Sequence, residues 1–284
     1  MMENQLKTVL LLGLLSGLLL GVGFLIGGVQ GLTIGLVFGL GFNFVSYWFS
    51  DKIVLALYGA QPAGKEHDEL QQIVADVARA AGIKKPKVYV IKTPQANAFA
   101  TGRNEKHAVV ACTTGILELL DRDELCAVIG HEISHVKNKD ILIGTIAAGI
   151  AAVISYVGMI ARWGAIFGGF GGRDERDTNL LELLVLGIVT PLIALLIQLA
   201  ISRSREYLAD ASGARITKMP LKLASALEKI SGSVKTHPFA AHASTTATSH
   251  LFIENPLTAE GFFALLSTHP PVKERAKRLR GMKV

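Results

Sequence analysis

Hydrophobic and polar positions divide this chain into long apolar blocks and shorter amphipathic stretches. From Thr8 to Ser50 no side chain is charged, a length that accommodates two bilayer spans of about twenty residues each. Gly27-Gly28-Val29-Gln30-Gly31 supplies the turn expected between them. Two further uncharged blocks run from Ile141 to Ala161 and from Leu183 to Ser202. The simplest organisation is four transmembrane helices in four parts: the first two spans in residues 1–50, a polar part in 51–140, a membrane hairpin with a glycine-rich loop in 141–202, and a second polar part in 203–284. A cleaved signal peptide fits poorly, because the apolar run continues into a second span with no Ala-X-Ala-like site between them.

The polar parts carry shorter periods. Leu70, Ile73, Val74, Val77 and Ala81 recur at helical spacing and predict a helix over 68–81, stopped by Gly82. Lys87 to Ile91 and Ala108 to Cys112 read as β-strands, and Asn97 to Gly102 as a further extended segment near them. A short helix opens at Thr113 or Thr114 and reaches Leu120. Asp121 with Glu124 forms a capping-box signature, and Leu125, Val128, Ile129, Ile133 and Val136 then mark the buried side of a helix from Arg122 to Asn138. Gly130 lets a neighbour pack close. Helices are also expected over 204–217, 221–230 and 273–280, and an unpatterned mobile loop over 235–256. The fold class is therefore mainly α with a small β-sheet (α+β).

Composition agrees with a membrane setting. Half of the 284 residues are hydrophobic and 18% are charged, with a mean hydropathy of +0.41, too apolar for an ordinary soluble domain. From Ser202 onward there are 13 Lys and Arg against 6 Asp and Glu, whereas Arg162 to Asp177 holds three of each. The positive-inside rule then places both polar parts in the cytoplasm. The net charge of +6 follows from topology, and no nucleic-acid motif is present. Gly13, Gly17 and Gly21, then Gly31, Gly35 and Gly39, repeat every fourth residue, which permits close helix contact within the chain or with a second copy. Cys112 and Cys126 are not spaced for metal and suit buried thiols in a reducing compartment.

The chemistry concentrates in His131-Glu132-Ile133-Ser134-His135. On a helix the two histidines lie one turn apart on one face, close enough to share a zinc ion, and Glu132 stands beside them as a general base. Arg122, Asp123, Glu124, Lys137 and Lys139 flank the motif and keep it out of a span. A catalytic zinc takes three protein ligands. Glu206 is the best third candidate, and Asp210, four residues on, can accept a hydrogen bond from the far nitrogen of a ligating histidine. His237, His242 and His250 are rivals for the third place, while His67 and His107 stand apart. Seventy-one positions separate His135 from Glu206, and the apolar hairpin fills most of that gap, so it would return the two helices to one place at the bilayer surface. Asn97 to Thr101 is the candidate sheet edge along which a peptide is laid as an extra strand. A transporter with structural zinc would carry ionisable groups inside its spans, and these are almost purely apolar; a non-catalytic scaffold retaining the motif is the other alternative.

Together these residues resemble the HtpX-type membrane zinc metalloproteases, relatives of the CaaX prenyl protease. The resemblance rests on His131 to His135, on Ser202 to Asp210 with Arg203, Arg205, Glu206 and Asp210, on Thr268-His269-Pro270-Pro271 with Arg275, and on Asn97-Ala98-Phe99-Ala100, which looks like the strand preceding the motif in that family. It implies a gluzincin-like domain with His131, His135 and Glu206 on one zinc ion and Glu132 as base. It further implies His269 as a stabiliser of the tetrahedral transition state, and Asn97, Ala98, Phe99 and Arg275 as substrate-positioning groups. The implied role is quality control: hydrolysis of misfolded or damaged membrane proteins and unfolded polypeptides, under stress, in the inner membrane of a bacterial cell.

Overall fold

The computed structural model describes residues 2–142, 203–236 and 270–283. The third and fourth apolar blocks, the loop over 237–256 with its three rival histidines, and His269 lie outside the described residues.

Helix α1 runs from Met2 to Leu57. The two helices expected before Ser50 are thus one element, and the expected turn survives only as Gly28, at φ 56, a conformation that glycine adopts without steric cost. The helix also continues past the expected boundary at Ser50. The reason is packing: Val54 and Leu55 are buried against Ile91, Phe99, Val109 and Ala111. Among the described residues no helix is long and apolar enough to cross a membrane.

The sheet is built from β1 (Gln61–Pro62), β2 (Lys87–Ile91), β3 (Ala98–Thr101) and β4 (Val109–Thr113). Its order is β1-β2-β4-β3, with β2 parallel to β4 and both outer strands antiparallel to their neighbours. The two-residue strand β1 has no sequence period of its own and was not expected. Helix α2 (Asp68–Ala81) stops at Gly82, at φ 73. Helix α3 (Thr114–Leu119) is capped by Thr113, whose hydroxyl accepts the Ile116 N–H. There follow α4 (Arg122–Lys137), α5 (Arg203–Thr217), α6 (Pro220–Thr236) and α7 (Val272–Arg280). Helix α6 includes Lys235 and Thr236, which the sequence reading placed in the loop.

Alternation along the strands separates two apolar surfaces. Val88, Val90, Ala98, Ala100, Val110 and Cys112 face the main core, with α2, α4 and α6. Phe99, Val109 and Ala111 face the end of α1, where Tyr58 meets Phe99 with ring centroids 5.7 Å apart. Strand β3 therefore lies between the helix that carries the histidine motif and the end of the long apolar helix.

Candidate active site

Helix α4 starts as its sequence requires. The Asp121 carboxylate accepts the Glu124 N–H at 2.8 Å, and Glu124 accepts the Asp121 N–H at 3.0 Å. The buried Glu124 also accepts from Ser225 and Lys229 of α6, each at 2.7 Å. The cap thus locks α4 in rotation as well as starting it. Burial alone would raise the Glu124 pKa, but the bonds from Lys229, Ser225 and Asp121 outweigh it and lower the pKa.

Three turns on, His131 and His135 point their Nε2 atoms at each other, 3.2 Å apart. Glu206 of α5 faces both: Oε2 lies 3.7 Å from His131 Nε2, and Oε1 lies 3.6 Å from His135 Nε2. Four ligands on arms of 2.0–2.1 Å at tetrahedral angles stand about 3.3 Å apart. Each histidine is met by a different Glu206 oxygen, and one donor atom from each of the three residues lies within 4.8 Å of the others. Small side-chain shifts would seat a zinc ion among them; they are the group of metal-ligating side chains found among the described residues.

The approach of α5 to α4 depends on two glycines. A Cβ on Gly130 would meet the Thr217 methyl at 2.5 Å, and one on Gly213 would meet the His131 main-chain nitrogen at 2.6 Å. Larger residues would hold α5 away and take Glu206 from the histidine pair. Gly213 went unnoticed in the sequence; its signal was a glycine three residues after Asp210 on the same helix.

Each histidine has a carboxylate behind it. His131 Nδ1 lies 2.9 Å from Asp210 Oδ1, bent away from the ring N–H axis. Asp210 in turn receives Nε and Nη2 of Arg275 at 2.8 and 2.7 Å. Burial opposes ionisation of Asp210, yet Arg275 and then His131 outweigh it and hold the carboxyl at a pKa of about 2. His135 Nδ1 lies 3.1 Å from Oδ2 of Asp140. Asp140 was also missed, because it stands beyond the helix end. The chain turns back there at Lys139, which takes φ 60, a costly conformation for a residue with a Cβ. Burial would lower the His135 pKa, but Asp140, Glu206 and Glu132 raise it to about 10.

Glu132 is buried, and its Oε2 accepts the Ala100 N–H at 2.8 Å. Burial is the main cause of its raised pKa, with Glu206 adding to the rise and the two histidines and Ala100 opposing it. Asn97 bonds to β4: its carbonyl accepts from Thr113 N–H, and its N–H donates to the Thr113 hydroxyl, both at 2.9 Å. By antiparallel alternation Phe99 and Thr101 also turn toward β4, while the main-chain groups of Ala98 and Ala100 turn outward. The Arg275 side chain is 0% exposed, with its guanidinium forked on Asp210 and Nη1 3.5 Å from Glu206, so it braces the two carboxylates. Cys112 is a buried thiol with a raised pKa, whereas Cys126 is only partly buried.

The model of peptidase family M48 matches residues 64–283. The chain belongs to that family. It is a metalloprotease of the HtpX type. A "Protease HtpX homolog" from Syntrophotalea carbinolica is 50% identical over 242 residues, covering 85% of each chain. One from Desulfatibacillum aliphaticivorans is 49% identical over 282 residues, covering 99% of this chain and 90% of that one. Among solved structures, that of S. mikatae Ste24p has a TM-score of 0.51 at 18% identity, covering 98% of this chain and 66% of that one. At that identity the likeness concerns the fold.

Proposed function

We propose that this metalloprotease is a zinc-dependent endopeptidase held in the bacterial inner membrane by its apolar segments, with its active site on the cytoplasmic side. Its substrates are misfolded or damaged membrane proteins and unfolded polypeptides, and its role is quality control under stress. Close helix contact through Gly13, Gly17 and Gly21 gives it a route to oligomers, and nucleic acid has no part. The single observation carrying the reading is the convergence of His131, His135 and Glu206 beside the buried carboxylate of Glu132.

A zinc ion held by those three residues supplies Lewis acidity, polarising water and the scissile carbonyl at neutral pH. The remaining chemistry belongs to the chain. With Oε2 of Glu132 engaged by Ala100, Oε1 takes the proton as water adds to the carbonyl carbon. Its raised pKa makes it a better base than an exposed carboxylate. Glu132 then returns the proton to the leaving nitrogen as the C–N bond breaks. The outward main-chain groups of Ala98 hold the peptide as an added strand, with Asn97 and Phe99 fixing Ala98 in place. His269 stabilises the developing oxyanion.

The test is proteolysis of a membrane-anchored protein and of a soluble unfolded one by wild type and Glu132→Ala, each with and without zinc. The expected result is zinc-dependent cleavage by wild type, with loss of several orders of magnitude in the variant while its zinc content stays at one per chain. Substantial turnover by zinc-loaded Glu132→Ala would sink the assignment. Cleavage of the soluble protein alone would remove membrane proteins from the substrate class.

A further inference from the structure

The uncharged run of α1 ends in a set of aromatic side chains that the active site does not use. Phe44, Trp48 and Phe49 are exposed by 59, 43 and 40%. Trp48 packs edge-on against Tyr47, with centroids 5.6 Å apart, and Phe44 lies 6.1 Å away. The first charges of the chain after Thr8, Asp51 and Lys52, follow at once, and Lys52 Nζ stands 5.1 Å over the Phe49 ring. Trp48 and Tyr47, rings with a polar edge placed where an apolar helix meets its first charges, suit the interfacial layer of a bilayer, and Phe44 and Phe49 extend their apolar area. Exposed apolar side chains continue up the helix at Leu40, Val37 and Ile34, a surface that water alone would not favour.

A second observation ties this collar to the catalytic strand. Strand β3 leads directly into the loop 102–107. Gly102 closes that loop at φ 137, where a Cβ would meet the His107 carbonyl at 2.4 Å. Asn104 accepts the His107 N–H and lies 2.8 Å from His107 Nδ1. Arg103 Nη2 lies 2.9 Å from His107 Nε2. Arginine can only donate, so His107 accepts at Nε2 and carries its proton on Nδ1. The braced guanidinium lies 4.4 Å over the Trp48 ring, and its Nη1 donates to the Trp48 carbonyl at 3.4 Å. Six residues further along α1, roughly 9 Å of helix rise, Val54 and Leu55 pack against Phe99 of β3.

We propose that Phe44, Trp48, Phe49 and Lys52 form a collar seated in the interfacial layer of a phospholipid bilayer, and that Arg103 clamps the loop after β3 to it. The clamp keeps the substrate-binding edge at a fixed, short height from the lipid surface. Asp51 and Glu105 are sequence neighbours of the cations Lys52, Arg103 and Lys106, so the charge near the collar is mixed, and the collar fits interfacial depth in general and not an acidic headgroup in particular. The inference rests on the reading of α1 as a membrane element.

The test uses the full, zinc-loaded chain carrying Trp163→Phe, which leaves Trp48 as its one tryptophan, in phosphatidylcholine vesicles brominated at different acyl depths. Trp163→Tyr carries the same measurement should the phenylalanine variant not fold. Quenching of Trp48 is expected to be at least twofold stronger with bromines near the headgroup than with bromines near the chain ends. No quenching at any depth, or quenching strongest at the chain ends, would overturn the collar. Fluorescence that follows protein dilution in lipid but ignores bromine would assign the face to a second copy. Arg103→Ala in the same background should speed amide hydrogen exchange over 98–107 about tenfold with zinc content unchanged; unaltered exchange would overturn the clamp. These readouts need no turnover, so a failure of Glu132-dependent proteolysis remains distinguishable from a failure of the collar.

Discussion

Gly213 stands against His131 so closely that a Cβ there would lie 2.6 Å from the His131 main-chain nitrogen. Glycine to alanine inside a helix ordinarily stabilises by up to about 1 kcal/mol. Here the sign should reverse, because the neighbouring atoms are backbone and cannot swing aside. Gly213→Ala is expected to lower stability by about 1–3 kcal/mol and zinc affinity at least tenfold, as Glu206 withdraws with α5. Thermal unfolding and competition with a chelator check both. A raised Tm with unchanged affinity would show that the helices need not approach so closely.

Among the described residues, His131, His135 and Glu206 are the group that could hold a metal. His131→Ala, His135→Ala and Glu206→Ala should each reduce zinc affinity sharply, measured as metal retained after dialysis. Retention of zinc by Glu206→Ala would remove Glu206 from the set.

The two carboxylates behind the histidines should differ when deleted. Asp210→Ala and Asp140→Ala are each expected to weaken zinc binding on the order of ten- to a hundredfold. Only Asp210→Ala removes the carboxylate on which the buried Arg275 is forked, at a cost of about 3–5 kcal/mol. Denaturant unfolding in chelator separates the cases. Equal stabilities for the two variants would show that Arg275 finds another partner.

Proton competition follows from the raised pKa of His135. In the metal-free protein its folded pKa of about 10 exceeds the ordinary 6.5, so its stabilisation is complete below pH 6.5 and fades as pH rises through 10. Asp210 behaves oppositely: its stabilisation holds above its ordinary value of 3.8 and fades as pH falls through about 2. A ligating His135 must be deprotonated. Zinc binding at pH 7 should therefore release about one proton from His135, read by calorimetry in buffers of different ionisation enthalpy. Binding heats independent of buffer would contradict this.

Strand β3 gives a discriminating pair of proline variants. The Ala98 N–H turns away from β4, so Ala98→Pro should leave the sheet, the zinc content and the Tm nearly intact while cleavage of every substrate collapses. Phe99→Pro removes an N–H within the sheet and disturbs the packing on Tyr58, so it should lower the Tm as well. Wild-type rates from Ala98→Pro would place the substrate strand elsewhere.

The local elements were legible in the chain because their causes are local. The capping box at Asp121 and Glu124, the stop at Gly82 and the alternation of 87–91 act over a few residues, and the structure places those elements within a residue or two of expectation. Spacing alone put His131 and His135 on one face, since the helical period needs no partner. Burial of Val54 and Leu55 was not legible, because the sheet that covers them lies elsewhere in the chain; this carries α1 past Ser50. The partnership of Asp140 with His135 depends on a left-handed turn at Lys139, which no propensity favours. The bracing role of Arg275 appears only when α7 docks on α5, sixty-five residues from Asp210. Sequence by itself determined which groups can do the chemistry. Tertiary structure decided which of them meet, because Glu206 reaches the histidines only where Gly130 and Gly213 let two helices from distant parts of the chain touch.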